Sequence, residues 1–318
     1  MRNPFSPAFW RSRRPPHAFV LTRDRLVFVG PADGTRRSAL SAPTFRVLSR
    51  PLPPDAFTPG PDGSPIAGTA LSGALQRLLT EAGSKVPAAS LVVPDGWVKL
   101  FVIDAVQPES HTREVDDMLR WKFGRAFGEP VPELRLSWLP AGAGADGTRI
   151  LALAVTEQAA SSWETPFEKA GIRIGALETA AFAVSSLGAR AAGDGFLVWT
   201  DGDTATTLVY AGPQLRFART RPYVEASEAV QDVRLAVTFG TPDRPAEAPP
   251  ADIAGSCAAG PQDSGVLEAL REFRAAAGAS EPEPLSLSRL APGATVTPDA
   301  AAQDPATLAG LGALAGGD

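Results

Sequence analysis

Two short apolar runs separated by polar residues open the folded part of the sequence. Residues 18–21 and 26–29 are apolar, and the polar segment 22–25 lies between them. Strand-length apolar runs joined by a few polar residues are typical of a β-hairpin. The pattern therefore predicts that the chain begins with two antiparallel strands, followed by a further strand over 41–50 and a Pro- and Gly-rich loop over 50–68.

A helical period follows in the segment 69–83. Leu71, Leu75, Leu78 and Leu79 recur with the spacing of one helix face. Gly83 stands where a left-handed residue would end the helix. The segment predicts an amphipathic helix, and the next apolar stretch, 89–104, predicts two strands broken by a Pro-Asp-Gly turn.

The segment 110–127 predicts a second helix. Ser110 is a suitable N-cap, Glu114 lies near the expected N-terminus, and Lys122 and Arg125 lie near the C-terminus. Acidic residues at the start and basic residues at the end stabilise the helix dipole. Two strand patterns and a helix over 159–171 come next, with Pro166 as an irregularity.

The second half repeats the order of the first. Residues 195–212 and 213–221 predict a strand–turn–strand unit, and helices are predicted over 227–239 and 266–278. The final residues are rich in Ala, Gly and Pro, and no element is predicted there. Two hairpin units, each followed by helices, indicate an internal duplication and an α/β class.

Composition narrows the class of protein. Its 318 residues suggest two domains, and 44% hydrophobic and 20% charged residues are ordinary for a globular protein. The net charge of −5 gives no electrostatic reason to expect nucleic-acid binding. One cysteine and two histidines exclude an intrachain disulfide, a cysteine zinc site and a His-rich metal centre.

The sequence shows neither the apolar stretch of a membrane-spanning helix nor a signal peptide. No stretch approaches the ~20 apolar residues of a membrane-spanning helix, and the first residues lack the apolar core of a signal peptide. A cytoplasmic location is therefore expected.

The first sixteen residues form a basic arm. It carries four arginines, three aromatic residues and no acidic residue: Arg2, Arg11, Arg13, Arg14, Phe5, Phe9 and Trp10. Two interpretations stay open, namely a disordered tail and a weak contact with an anionic inner leaflet.

Three segments together resemble one known family. They are GALETAAFAVSSLGAR with the following DGFLVWTDGDTATTLVYAGPQLRFART, DDMLRWKFGRAFGEPVPELRLSW, and KAGIRIGALE. In this order they are similar to the PilM proteins of type IV pilus assembly, which belong to the actin-like superfamily. The resemblance covers roughly residues 17–222.

The resemblance implies a two-lobed, actin-like (ribonuclease H-like) α/β fold. Lobe 1 would span 17–178 with a small inserted subdomain at about 90–172, and lobe 2 would span 179–318. Only about thirty residues separate Arg221 from Gly255. Lobe 2 is therefore expected to be reduced, without most of the second inserted subdomain that usually covers the purine.

Actin-like nucleotide sites use two Asp-x-Gly hairpins, which the resemblance places at 21–25 and 199–206. The first has no glycine; Arg23 and Arg25 could attract phosphate, or the segment is a solvated turn. In the second, aligning Thr206 puts Thr200 at the metal-orienting acid and keeps Gly202. A hairpin turn and a phosphate loop both stay open there.

Asp201 and Asp203 are present in the second hairpin but shifted by one residue from the family position. A shift of one residue turns a strand side chain to the opposite face. The two acids remain candidate contacts of a nucleotide, together with Gly202, Thr206 and Gly255, although the shift could turn them away from a metal.

Two more residues come from the resemblance. Glu178 matches the position where actin-like ATPases keep a polar residue for the attacking water, and a helix-dipole role explains a glutamate there equally well. Gly255 is the surviving candidate for the adenosine loop, and Cys257 beside it is expected to be a small packed residue.

A partner is implied as well. PilM proteins hold a short N-terminal cytoplasmic peptide of a PilN-type inner-membrane protein, and Trp97, Trp121 and Phe127 are the candidate contacts. Aromatic residues are common anchors of interfaces and also common in cores.

The sequence thus predicts a cytoplasmic scaffold at the inner membrane of a type IV pilus or type II secretion-like assembly. Its cofactor is expected to be none, or weakly bound Mg-ATP. The alternatives are an active actin-like ATPase or sugar-kinase-like enzyme, and the cytoplasmic part of a GspL-like secretion component.

Overall fold

The computed structural model describes residues 14–32, 43–61, 63–105, 112–127, 132–143, 148–188, 195–211, 214–240, 256–258, 264–276, 283–284, 286–287 and 294–315. The chain divides into two compact units. Unit 1 comprises residues 1–97, 156–188 and 286–318, and unit 2 comprises residues 98–155 and 189–285.

Unit 1 contains a six-stranded mixed sheet. Its strands are β1 (Ala18–Leu21), β2 (Arg25–Pro31), β3 (Thr44–Pro51), β6 (Ala88–Val93), β10 (Arg173–Thr179) and β16 (Thr295–Thr297), in the order β10-β6-β1-β2-β3-β16. The antiparallel pair β1–β2 confirms the predicted hairpin, and β6 and β10 run parallel to β1. A parallel arrangement brings the carboxyl ends of β1, β6 and β10 to one edge of the sheet.

The described residues of unit 1 also form helices and a small two-stranded sheet. They include α1 (Thr69–Ala82), α3 (Glu157–Lys169), α4 (Ala180–Gly188), α7 (Pro305–Ala315), β4 (Phe57–Pro59) and β5 (Pro65–Ala67). The predicted helix over 69–83 is confirmed as α1. Its Leu71, Leu75 and Leu78 are buried, and Gly83 ends it at φ 63° with its N–H bonded to the carbonyl of Leu79.

The C-terminal helix α7 was not predicted from the pattern. Residues 306–314 are all buried, and the helix packs on α4 and on strands β1, β2 and β6. Gly310 lies against the side chains of Val20 and Val29, while Gly312 lies against the backbone of Ala183. Two glycines thus allow α7 to approach the sheet and α4 closely.

Two sheets and three helices are formed by the residues of unit 2 that the structure describes. The three-stranded sheet has the order β7-β9-β8, with β7 (Lys99–Ala105), β8 (Leu134–Ala143) and β9 (Thr148–Thr156), and α2 (Thr112–Phe127) lies between β7 and β8 in sequence. The other sheet has the order β13-β12-β11-β14-β15, with β11 (Gly195–Asp201), β12 (Thr204–Ala211), β13 (Gln214–Pro222), β14 (Ser256–Ala258) and β15 (Glu283–Pro284). Helices α5 (Ala226–Gly240) and α6 (Ser264–Ala276) pack on it.

The predicted helices of unit 2 are confirmed. The helix expected over 110–127 is α2, although Ser110, its predicted N-cap, lies outside the described residues. Its buried residues Val115, Leu119 and Phe123 pack against β7, β8 and β9 around Ile150. The helices expected over 227–239 and 266–278 correspond to α5 and α6.

The predicted lobe bounds differ from the two units. Residues 98–155 group with unit 2 rather than with the first lobe, and residues 286–318 group with unit 1 rather than with the second lobe. The latter assignment has a simple cause, because the apolar surface of α7 is buried against β1, β2 and α4.

Candidate functional site

The second predicted phosphate hairpin is the turn between β11 and β12. Asp201 and Thr204 are the closing pair of the antiparallel ladder, so Gly202 and Asp203 form a two-residue turn. Gly202 has φ 61°, in the left-handed region that favours glycine. The glycine is thus required by the turn itself, whether or not a phosphate binds there.

The threonine aligned with the family is held inside the sheet. Thr206 is buried, and its hydroxyl lies 2.9 Å from the hydroxyl of Thr220, directly opposite on β13. Thr200, at the position of the metal-orienting acid, is also buried. A buried hydroxyl can neither replace the charge of a carboxylate nor balance a metal ion in the same way.

The two acids of this hairpin lie at its tip. Asp201 is half-buried, and Asp203 is exposed. The carboxylate of Asp203 accepts a hydrogen bond from the Thr204 hydroxyl at 3.3 Å, and its carbonyl accepts one from the N–H of Tyr223 at 2.8 Å. These bonds fasten the tip to the end of β13.

An open cleft of about 520 Å³ lies within unit 2 beside this tip. Its lining includes residues from the hairpin and from the starts of α5 and α6, namely Gly202, Asp203, Tyr223, Val224, Gly265 and Val266. None of the described residues that line it is a lysine or an arginine. The lining therefore supplies an acid and apolar groups, whereas a phosphate needs cations or free N–H donors.

The N-terminus of α5 is occupied by a carboxylate of its own helix. Glu228 accepts a hydrogen bond from the N–H of Val224 at 2.8 Å. Backbone hydrogen bonds from Val224 and Glu225 hold the pKa of Glu228 below its ordinary value. This carboxylate takes the place at the positive end of the helix dipole that an external anion would otherwise use.

The turn of the first predicted phosphate hairpin is held by hydrogen bonds of its own side chains. The hydroxyl of Thr22 donates to Asp24 at 2.6 Å and accepts the N–H of Arg25 at 3.1 Å. The guanidinium of Arg25 donates to Asp304 at 2.5 Å, and Asp304 also accepts from Thr307 in the first turn of α7. Arg25 is thus bound inside unit 1, which favours the interpretation of this segment as a structural turn.

Glu178 lies in β10 and forms a partly buried ion pair. Nη1 of Arg14 is 2.9 Å from Oε2 of Glu178. The same Arg14 atom donates to the carbonyls of Gly312 at 3.4 Å and Ala313 at 3.2 Å, at the C-terminal end of α7. Burial raises the pKa of Glu178, and the charge and hydrogen bond of Arg14 oppose that rise.

Arg14 is the functional neighbour that sequence reasoning missed. By sequence it belongs to the basic arm of residues 1–16, yet its side chain is bound to Glu178 in β10 and to the end of α7. The two partners are 164 residues apart, so no local pattern could have joined them. The other arginines of the arm, Arg2, Arg11 and Arg13, lie outside the described residues.

The helix-dipole role suggested for Glu178 belongs to another residue. Helix α4 begins at Ala180, and both carboxylate oxygens of Asp95 lie 3.2 Å from the N–H of Ala181. Asp95 is buried and comes from the 3₁₀ turn Asp95–Trp97 that follows β6. A carboxylate distant in sequence therefore caps α4.

The remaining nucleotide candidate cannot be placed. Gly255 lies outside the described residues, and the strand that follows it, β14, begins at Ser256. Cys257 pairs with Val198 in the parallel ladder between β14 and β11. Cys257 is thus a strand residue, while the adenosine contact of Gly255 stays a prediction.

The three aromatic candidates for partner binding have different environments. Trp97 is buried, with its ring 4.6 Å from Phe57 and 5.4 Å from Trp163, measured between ring centroids. Phe127 packs at the edge of the core around α2. Trp121 is 63% exposed on the outer face of α2. Of the three, Trp121 is the side chain that a partner can reach without rearrangement of a core.

The described part of the chain offers neither a membrane-spanning helix nor a metal centre of acidic, histidine or cysteine side chains. None of its helices is long and apolar enough to span a membrane. Within the same residues, no group of three His, Cys, Asp or Glu side chains is arranged to hold a metal ion.

The sequence and the fold of this chain were compared with those of known proteins, and the fold has a clear match. No family model and no curated protein matches the sequence. A chain of the PilM–PilN type IV pilus biogenesis complex superposes with a TM-score of 0.70 at 17% identity, covering 96% of this chain and 99% of that chain.

Two weaker likenesses are an actin-like ATPase fold protein of unknown function from Bacteroides thetaiotaomicron and the cytoplasmic domain of EpsL, an inner-membrane component of the type II secretion system of Vibrio cholerae. The first has a TM-score of 0.48 at 7% identity and covers 95% of this chain and 96% of that chain. The second has a TM-score of 0.43 at 11% identity and covers 76% and 80%. The mixed sheets, their connecting helices and the PilM–PilN likeness together show that this chain has an actin-like α/β fold.

Proposed function

We propose that this protein is a PilM-like scaffold at the inner face of the cytoplasmic membrane, in a type IV pilus or type II secretion-like assembly. The observation that carries the proposal is the likeness to a chain of the PilM–PilN complex over nearly the whole length of both chains. Its partner is a PilN-like membrane protein, which it binds through a short cytoplasmic peptide.

The state of the nucleotide determinants supports a scaffold rather than an efficient ATPase. Glu178 is ion-paired with Arg14, and a threonine, Thr200, stands at the metal-orienting position. The first hairpin has no glycine, and Arg25 in it is bound to Asp304. Phosphoryl transfer depends on positioned charges around the phosphates, so these changes favour a protein that binds Mg-ATP weakly or not at all.

A second candidate function is an active actin-like ATPase or sugar-kinase-like enzyme. The observation in its favour is the Gly202 turn beside an open cleft in unit 2. In that case Asp201 and Asp203 would be the contacts of the nucleotide's metal, and Glu178 would leave Arg14 to orient water.

The basic arm adds a second, weaker attachment in this proposal. Arg2, Arg11 and Arg13 would contact an anionic membrane surface, each contributing on the order of 1 kcal/mol. Arg14 is excluded from that role because it binds Glu178 and the end of α7.

A peptide-binding measurement tests the proposed function. A fluorescent peptide with the cytoplasmic N-terminal sequence of a PilN-like membrane protein from the same genome is titrated with the protein, and its anisotropy is recorded. We expect binding with a dissociation constant of roughly 10 µM or tighter, as for small transient interfaces, and the same value with and without Mg-ATP.

A scrambled peptide of the same composition is the control. Equal anisotropy changes with the two peptides, or no change at about 100 µM protein, would contradict the proposed function.

A further inference from the structure

Helix α2 presents a polar face that is ordered by charge. Six of its residues run from acidic through apolar to basic: Glu114, Asp117, Met118, Trp121, Lys122 and Arg125. Glu114, Asp117, Trp121 and Arg125 are spaced by three or four positions, which places them on one side of the helix, and Met118 and Lys122 lie along one edge of that side. Glu114, Asp117, Trp121 and Arg125 are exposed, while Met118 and Lys122 are half-buried.

The orientation of this face is fixed from the other side of the helix. Val115, Leu119 and Phe123 are buried against the three-stranded sheet. Asp116 accepts a hydrogen bond from the indole N–H of Trp138 at 2.9 Å, and Arg120 donates to the carbonyl of Leu134 at 3.3 Å. The rotation of α2 about its axis is therefore set, so the charged face points away from the sheet.

At the centre of this face lies a large apolar side chain. The Trp121 ring is 63% exposed, and the guanidinium of Arg125 lies 4.5 Å from its centroid. Stacking of this kind holds the cation in place and leaves much of the indole accessible. An accessible tryptophan beside a positioned arginine has the composition of an interface centre.

The face is complementary to itself when two copies of the helix run antiparallel. A two-fold axis between positions 119 and 120 places Glu114 opposite Arg125 and Trp121 near Met118, while Asp117 and Lys122 lie on the two flanks of the face at matching heights along the pair. The acidic half of each helix then lies beside the basic half of the other, with Trp121 near the axis. The two helix dipoles are also antiparallel in this arrangement, so the positive end of each lies beside the negative end of the other.

We propose that this face is a pairing surface for a second copy of the chain, with the two α2 helices antiparallel about a two-fold axis. A two-fold interface uses the same surface on both copies, so that surface must be complementary to itself. A helix face that is acidic at one end and basic at the other meets this requirement when the two copies run antiparallel. A uniformly acidic or uniformly basic peptide would meet like charges in one half of the face. The inference rests on α2 alone and not on the proposed function.

The expected affinity is modest. Helix α2 has 16 residues and is therefore about 24 Å long. A single helix pair of this length buries roughly half of the ~800 Å² per partner that is typical of stable complexes. Pairing should appear at about 100 µM and above, and it should weaken as salt is raised.

Two charge variants test the pairing. The basic variant carries Glu114→Lys and Asp117→Lys, and the acidic variant carries Lys122→Glu and Arg125→Glu. Each variant has a face of a single sign, so each alone should self-associate at least about tenfold more weakly than the unmodified chain. An equimolar mixture should restore pairing, since the basic face then meets the acidic face.

Sedimentation velocity over a concentration series measures these associations, and circular dichroism verifies that each variant is folded. The matched control is Glu268→Lys with Glu272→Lys, which adds the same charge at exposed positions of α6 and should leave pairing unchanged. Trp121→Ala should weaken pairing at least about fivefold.

Several outcomes would overturn the proposal. An unmodified chain that stays monomeric at about 500 µM, or single variants that associate as it does, would do so. So would a mixture of the two folded variants that fails to associate. If both variants instead lose binding of the membrane-partner peptide while self-association is unaffected, the face belongs to that partner and the pairing proposal fails.

Discussion

The Gly312→Ala variant is expected to unfold at a temperature lower than the unmodified chain by about 4 °C or more, which corresponds to about 3 kcal/mol. A methyl group on Gly312 would collide with the backbone carbonyl of Ala183 in α4. Backbone cannot move aside as a side-chain end can, so α7 would have to shift away from α4 and from the sheet that it covers.

The control for this variant is Gly73→Ala in α1. Gly73 is exposed within a helix, and no atom lies within 4 Å of the place where its Cβ would stand. Alanine there should raise the free energy of unfolding by roughly 0.5–1 kcal/mol. A Gly312→Ala chain that unfolds at the temperature of the unmodified protein would show that α7 does not pack on α4 as described.

Removal of the Arg14 side chain should cost about 2 kcal/mol of unfolding free energy near neutral pH. The Glu178 side chain is only 16% exposed, so Arg14→Ala leaves a carboxylate in a poorly hydrated place, and the last carbonyls of α7 also lose a donor. Arg271→Ala is the matched control. The Arg271–Glu268 pair is more exposed, at 40% and 63%, and such pairs contribute little.

The dependence on pH distinguishes this ion pair from a simple packing loss. Burial already raises the pKa of Glu178 above its ordinary value, and without Arg14 nothing described opposes that rise. A carboxyl with a raised native pKa makes the folded state less stable as pH increases above the ordinary value, because the unfolded chain ionises first.

The cost of Arg14→Ala should therefore be larger at about pH 8 than at about pH 5, measured by chemical denaturation at both. The double variant Arg14→Ala with Glu178→Gln should recover most of the loss at pH 8. A cost that is equal at the two pH values, and unchanged by Glu178→Gln, would contradict an ion pair between these residues.

Elements with one buried face could be predicted from the sequence. In α1 and α2 the apolar residues recur at helical intervals because one side packs on a sheet and the other meets water. Helix α7 could not be predicted in this way. It is buried on all sides, so its composition of Ala, Leu and Gly carries no period, and its assignment depends on contacts with strands nearly 300 residues earlier in the chain.

In the candidate site, too, some features are set by neighbouring residues in the sequence and others by residues that are distant in the sequence. The turn at Gly202 and its tip acids follow from the local pattern of strand, Asp-Gly and strand. The partners of Glu178 and of the α4 N-terminus, Arg14 and Asp95, are set by the topology of the sheet. Trp121 could have been separated from Trp97 by its helical position, because it shares a face with Glu114 and Arg125.

The internal partners of these residues lead to one central statement about function. Glu178 and Arg25, the residues proposed at the water-orienting and phosphate-contacting positions of an actin-like ATPase, are bound to other parts of the same unit, Glu178 to Arg14 and Arg25 to Asp304. This is the physical basis for proposing a scaffold in which the actin-like fold has been retained for binding partners.

Isothermal titration calorimetry of the full chain with Mg-ATP tests that statement most directly, accompanied by an assay of phosphate release. We expect no binding tighter than about 1 mM and no turnover above background. Submillimolar binding of Mg-ATP, together with hydrolysis that is lost in Glu178→Gln, would contradict it.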